Sequence, residues 1–272
     1  MCRLLGYVSD HPTSVVDVLG DEGFDRFTAL TAVHGDGWGM AWLPEGSDES
    51  TVRSVSAPVS ASDDATYDSL ARTPLGRAGL LHLRWASEGL SVCPENTHPF
   101  VDDSGIAGQV AFAHNGHIAP IRRLEALLSE DSCARLIGDT DSERYFRFVL
   151  QCIEEEQDLE TGVGRALGVL VHEFPDSSLN ALMLTPTRMF GVHINSEESS
   201  PQRALRELFD NEHEIPARHT TEYFAMDYRL EPHAVHVISS GLDEEGWTPV
   251  PPDSAAVVDI ATREVTRLEV PA

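Results

Sequence analysis

Ten short apolar runs, each bounded by Gly, Pro, Asp, Ser or charged residues, constrain this chain more than any other feature. They are CRLLGYV from Cys2, GWGMAWL from Gly37, GLLHLRWA from Gly79, QVAFAH from Gln109, LNALMLT from Leu179, RMFGVHI from Arg188, EYFAMDY from Glu222, AVHVIS from Ala234, AAVVDI from Ala255 and VTRLEV from Val265. Runs this short with turn residues between them read as strands, because a strand crosses a small domain in five or six residues whereas a helix needs twice that number. The turns EGSDES at Glu45–Ser50 and DDSG at Asp102–Gly105 read as hairpin or loop tips.

Between the runs lie a few stretches of helical period. In TDSERYFRFVLQCIEEE, Tyr145, Val149 and Cys152 form one apolar row and Phe146, Leu150 and Ile153 the next. Thr140 with Glu143 three residues on predicts a capping box that satisfies two orphan amides at the start of this helix. PIRRLEALLSE predicts a shorter helix with Pro120 in its first turn, and Thr161 to Val171 another. Strands and helices do not alternate one for one, so an α+β layered architecture is expected in place of a parallel doubly wound sheet. The length of 272 residues fits a single domain over residues 2–272, dense in motifs over 2–150 and ending in strands over 178–270. EEEQDLETG, from Glu154, is the best place for a break within it.

The chain carries a formal charge of -26, and all of its 19 basic side chains are arginine. Such a field repels nucleic acid and anionic membrane surfaces, so neither is an expected partner. No apolar stretch reaches the roughly 18 residues of a membrane span and the N-terminus lacks signal-peptide character, so a cytoplasmic location is expected. Cys2, Cys93, Cys133 and Cys152 form no CxxC pair and suggest neither a disulfide framework nor a thiolate zinc site. His114 with His117, and His233 with His236, are the pairs a metal would use, but neither comes with a recognised ligand set, and no metal or other cofactor is expected.

Cys2 admits two readings. It is a small apolar residue at the head of a strand, or, once Met1 is removed, a nucleophile whose own α-amine, with a reference pKa of about 7.7–8.0, can take the thiol proton. Chemistry at a carbonyl also needs donors for the developing oxyanion. FAHNGHI offers the Asn115 side-chain amide and the Gly116 backbone N–H, although Asn-Gly is equally a common turn dipeptide. Arg84, at the end of the run GLLHL, could grip a carboxylate through its planar fork or pair with one of the chain's 45 acids. Asp141 could hold an ammonium group, or simply favour the first turn of its helix through the dipole. HGDGWG, with three glycines around Asp36, points to close backbone approach, and ENTHPF sets His98 before a proline.

Each signal is weak alone; their order is specific. MCRLLGYV, HGDGWG, HLRWASEG, ENTHPF, AFAHNG and GDTDSE resemble, in that sequence, the motifs of class II glutamine amidotransferases, which belong to the N-terminal nucleophile hydrolases. The likeness is nearest to the stand-alone YafJ-like branch and more distant to the ergothioneine-pathway γ-glutamyl hydrolase. The resemblance implies a four-layer α/β/β/α sandwich of two antiparallel sheets. It implies Cys2 as nucleophile, Asn115 and Gly116 as the oxyanion hole, Arg84 on the substrate carboxylate and Asp141 on its amine, with Trp85, Ser87 and His98 lining the pocket. Ser87 stands where many members have threonine.

The implied activity is hydrolysis of the γ-amide of glutamine through a γ-glutamyl thioester on Cys2, releasing glutamate and ammonia. A chain of this length leaves no room for a fused synthase domain, so a separate ammonia acceptor would be the partner, or the substrate would be a γ-glutamyl conjugate that releases a small amine. A binding module that keeps the pocket without turnover is the alternative of another class.

Overall fold

A computed structural model describes residues 2–46, 51–87, 89–196, 198, 200–209, 211, 215–216, 218–242 and 246–271. Met1 and residues 47–50, within the EGSDES tip, lie outside them.

β1 (Arg3–Thr13) is buried on both faces along its first seven residues, so its period of two assigns side chains to two different cores. Leu5 and Tyr7 point one way, into a cluster with Val18, Phe24 and Phe27 of α1 (Val15–Ala29) and Tyr67 of α2 (Ala65–Ala71). Leu4 and Val8 point the other way, against Ala111, Ala113, Leu182 and Leu184 of a second sheet. Gly6 lies on this inner face, where an added Cβ would come within 3.0 Å of Leu182, so the two sheets approach closely there.

Among the described residues thirteen strands form two sheets, every pairing antiparallel. The first has the order β11-β9-β10-β1-β4-β2-β3. With β1 it contains β2 (Trp38–Pro44), β3 (Arg53–Ala57), β4 (Gly76–Leu83), β9 (Met226–Glu231), β10 (Ala234–Ser239) and β11 (Thr248–Pro249). The second has the order β13-β12-β8-β7-β6-β5. It contains β5 (Phe100–Ser104), β6 (Gly108–His117), β7 (Ser178–Leu184), β8 (Arg188–His193), β12 (Ser254–Asp259) and β13 (Val265–Arg267). Its outer face, through Val110, Phe112, Leu179, Ala181 and Met183, packs under α5 (Asp141–Glu156) and α6 (Leu159–Glu173). Phe112 sits in this layer stacked on Phe146, and its truncation to alanine would cost about 3–5 kcal/mol. The result is the expected α/β/β/α sandwich.

Several expectations need correction. The Asn115–Gly116 pair is not a turn: β6 runs through it to His117, paired with β7. Only half of the predicted capping box forms. Thr140 accepts from the Glu143 N–H, but the Glu143 carboxylate reaches past the cap to the N–H groups of Ile137 and Gly138. Pro120 is the N-cap of a five-residue helix, α3 (Ile121–Glu125), followed by a second short one, α4 (Glu130–Ala134). At EEEQDLETG two helices meet end to end. Gln157 turns left-handed and Asp158 caps α6 directly behind α5, while β7, downstream of this link, pairs with β6 upstream of it.

Candidate active site

The parity that sorts the core also aims the polar residues. Cys2, in register with Leu4 and Val8, faces the space between the sheets and is buried. Asn115 shares the face of Ala111 and Ala113 and meets it from the other sheet: its Oδ1 accepts the Cys2 N–H at 2.9 Å. The Asn115 Nδ2 is buried and has no hydrogen-bond partner. A donor left unmade in a dry site costs about 1–3 kcal/mol, so this amide is held ready for an acceptor that the folded chain does not itself provide.

Register also directs the backbone of Gly116. Gly116 lies opposite Leu179, whose N–H turns away to Ile194 O at 2.8 Å. Gly116 and Leu179 are therefore a non-hydrogen-bonded pair, and the Gly116 N–H points away from β7. That is the side to which the His114 carbonyl points, where it is 3.3 Å from His82 Nε2. A Cβ at Gly116 would collide with the Ser178 carbonyl and the His114 ring.

Arg84 follows the end of β4 and is buried, with Nη2 3.2 Å from Ser91 O and Nη1 3.5 Å from Asp36 O. No carboxylate pairs with it among the described residues, so the reading of a strand-end arginine satisfied by one of the many acids does not hold. Asp36, from HGDGWG, fixes this wall. Its N–H donates to Arg84 O, and its carboxylate accepts the Ala86 N–H at 2.8 Å. Asn96, from ENTHPF, links the same loop to the next one, donating to Ser91 O and accepting the Asp139 N–H.

Asp141, at the first turn of α5, accepts the Ile118 N–H at 2.6 Å, with His117 Nδ1 3.4 Å away. Burial raises the Asp141 carboxyl, but His117 and the Ile118 N–H outweigh it and hold the group below its ordinary value. His117 is raised in turn by Asp141.

Cys2, Arg84, Trp85, Ser87, His98, Gly116 and Asp141 line one cavity, with Ala86, Leu90, His114, Thr140 and Ser142. The structure thus brings together the residues that the resemblance names for the site, Asn115 adjoining through its bond to Cys2. Trp85 sets its carbonyl 4.0 Å from Cys2 Sγ, while its side chain packs against a cluster of Val33, Leu205 and Tyr223. The His98 and His82 rings lie tilted with centroids 4.2 Å apart, and burial drives the His98 ring well below the ordinary histidine range.

Sequence reasoning missed His82. The strand GLLHL places it on the inner face with Leu80, and that parity was the available signal. Burial pushes the Cys2 thiol up, but the adjoining His82 ring pulls it down further, to about 6. Among the described residues no three His, Cys, Asp or Glu side chains are grouped to hold a metal, and no helix is long and apolar enough to cross a membrane.

These layers, with a cysteine at the head of a central strand and an orphan amide facing it, define a protein of the N-terminal nucleophile hydrolase fold. The profile describing "Glutamine amidotransferases class-II" matches residues 1–252. The chain belongs to the class II glutamine amidotransferase family. A Haemophilus influenzae protein provisionally named a glutamine amidotransferase is 34% identical over 156 residues, 57% of this chain and 48% of that protein. Glutamine–fructose-6-phosphate aminotransferase of Mycobacterium bovis is 29% identical over 170 residues, 62% of this chain and 25% of the enzyme. The chain thus spans half or less of these relatives. Among solved structures, the glutamine phosphoribosylpyrophosphate amidotransferase of B. subtilis superposes with a TM-score of 0.64 at 16% identity, over 98% of this chain and 49% of that one. A glutamine aminotransferase class-II domain protein from Silicibacter pomeroyi gives 0.61 at 17% identity over 100% of both chains. At such identities the likeness concerns fold alone.

Proposed function

We propose that residues 2–272 act as one glutaminase-type amidohydrolase domain that cleaves the γ-amide of glutamine through a γ-glutamyl thioester on Cys2. The observation that carries this reading is Asn115, whose Oδ1 holds the Cys2 nitrogen while its Nδ2 is buried without a partner. In the proposed reaction Sγ attacks the γ-carbonyl carbon, and the oxyanion is met by Asn115 Nδ2 and the Gly116 N–H, each such donor contributing about 3–4 kcal/mol. Loss of Met1 frees the Cys2 α-amine, which lies within reach of its own sulfur and carries the proton to the departing nitrogen. Ammonia leaves as the C–N bond breaks, and water then hydrolyses the thioester to glutamate.

Arg84, a buried cation bonded among the described residues only to carbonyls, takes the α-carboxylate, and Asp141 takes the α-ammonium. Trp85, Ser87 and His98 shape the pocket wall. Both charged ends of a free amino acid are then read, and the ammonia passes to a separate acceptor.

The test is product release from glutamine beside a panel of γ-glutamyl amides. Ammonia and glutamate at a kcat/KM above that for every conjugate supports glutamine as substrate. A preferred conjugate would move the assignment to γ-glutamyl amine hydrolysis, and binding of glutamine without turnover would leave only a binding module.

A further inference from the structure

Asn115 is not alone on its face. Asn180 of β7 stands directly opposite it, which sets the two Cβ atoms about 4.5–5.5 Å apart on the same side of the sheet, and both side chains are fully buried. β1 crosses above the pair: Cys2 meets Asn115, and Gly6, four residues on, meets Leu182, two residues beyond Asn180. Main-chain groups fix both amides. The Asn115 Oδ1 accepts the Cys2 N–H, which leaves Nδ2 over, and the Asn180 Nδ2 donates to the Phe224 carbonyl at 2.6 Å, which leaves Oδ1 over. That Oδ1 is buried and has no hydrogen-bond partner among the described residues, and the two amides do not bond to one another. The proposed chemistry gives Asn180 no part.

Loss of Met1 creates the donor that this acceptor lacks. The Cys2 nitrogen carries one hydrogen as an amide, but two hydrogens and a lone pair as a neutral amine. Asn115 Oδ1 takes the first hydrogen. We infer that Asn180 Oδ1 takes the second, so that the two asparagines together hold the amine with its lone pair turned to Sγ. Asn180 is thus a positioning residue that acts through the amine. In the step that follows, S–H breaks and a third N–H forms. The asparagines keep the first two hydrogens, and the third, the former thiol proton, is the one passed to the departing nitrogen as the C–N bond breaks. The inference rests on the proposed role of the Cys2 α-amine as base, but not on which γ-glutamyl amide is cleaved.

The competing account is that Asn180 only fastens Phe224, ahead of β9, to the second sheet. Two substitutions part the accounts, because both delete the donor to Phe224 and only one deletes the acceptor. Asn180→Leu has neither group, whereas the carboxylate of Asn180→Asp still accepts. The chain contains no lysine, so the α-amine is its one primary amine and an amine reagent reads it alone. Charged and titratable groups of the neighbouring elements, Arg3, His82, Arg84, His98, His114 and Asp141, are common to all three chains, so differences among them report on position 180.

The experiment follows carbamylation of the amine by cyanate against pH in the wild-type chain, Asn180→Leu and Asn180→Asp, read by intact mass after alkaline reversal of any adduct on sulfur. An acceptor favours the protonated amine over the neutral one, and a carboxylate favours it more. The amine of Asn180→Leu is therefore expected to titrate about one pH unit below the wild type and that of Asn180→Asp about one unit above it, and the acid limb of kcat/KM for glutamine should move with them. Neither variant moving, or both moving the same way, overturns the inference, since loss of the Phe224 contact is common to both. If one variant fails to fold, the other decides by the sign of its own displacement. Label mapped to Met1 overturns the inference together with the activation proposed for Cys2. Opposite displacements in a chain that hydrolyses no γ-glutamyl amide refute the proposed function and leave Asn180 as the positioning residue of the amine.

Discussion

Replacing Asn115 with alanine separates what this side chain does for folding from what it does for the reaction. Two terms in stability oppose one another. The Cys2 N–H loses its acceptor at 2.9 Å and becomes a buried orphan, which costs about 1–3 kcal/mol. At the same time the variant removes Nδ2, already a buried orphan in the wild type, and recovers a term of similar size. The net change is expected within about 1–2 kcal/mol, a shift of no more than ~8 °C in Tm for a chain of this size. Activity has no such cancellation. One oxyanion donor disappears and kcat should fall by about 100- to 1000-fold, with KM altered far less because Arg84 and Asp141 hold the amino-acid end. Steady-state ammonia release at saturating glutamine, beside thermal unfolding of the same preparation, measures both. A variant that loses stability steeply but keeps kcat within threefold would show that Asn115 only fastens the strand, and would refute the assignment of Nδ2.

Arg84→Met should raise KM for glutamine by about 30-fold or more, the loss expected when a buried charge pair is broken, with little loss of stability because Arg84 has no carboxylate partner among the described residues; an unchanged KM would remove Arg84 from recognition. Gly116→Ala should lower both Tm and kcat, since the added methyl meets the Ser178 carbonyl and the His114 ring; overpacking of this kind costs about 1–3 kcal/mol, and a wild-type Tm would contradict the packing. The Asp141–His117 pair should shape stability against pH. His117 is raised in the fold, so its contribution is complete below its ordinary value near 6.5 and is lost as pH rises through the folded value; Asp141 is lowered, so its contribution is present above about 4 and is lost as pH falls through the folded value. Tm measured from pH 4 to 9 should therefore decline on the alkaline side in the wild type and decline less in His117→Ala; parallel curves would dismiss the pair.

The strands were legible because alternation of apolar and polar residues is a local property, and β1, β2, β6, β7, β8, β10 and β12 fall on the predicted runs. The edge strand β3, RSVSA, is largely exposed and carries no such signal. Helix α1 hides behind Gly20, which adopts a positive φ inside it and breaks the helical period. The site was legible in residue identity, through motif order, and much less in geometry. Asn-Gly reads as a turn because its local propensity says so, whereas pairing with β7 overrides that propensity and keeps Asn115 in a strand facing Cys2. His82 escaped notice because parity in GLLHL puts it on a face without saying what it meets there; only the pairing of β4 with β1, Leu4 opposite His82, brings it near Cys2. Asp36 likewise acts through a loop 50 residues distant in sequence.

The central claim, that Cys2 becomes the N-terminal nucleophile of a γ-glutamyl thioester, is tested most directly by intact-mass analysis before and after incubation with a γ-electrophilic glutamine analogue. The account predicts a protein lacking Met1 that gains one adduct, mapped to Cys2, with loss of ammonia release in proportion to labelling. An active protein that retains Met1, or inactivation with the adduct on a residue other than Cys2, would contradict it.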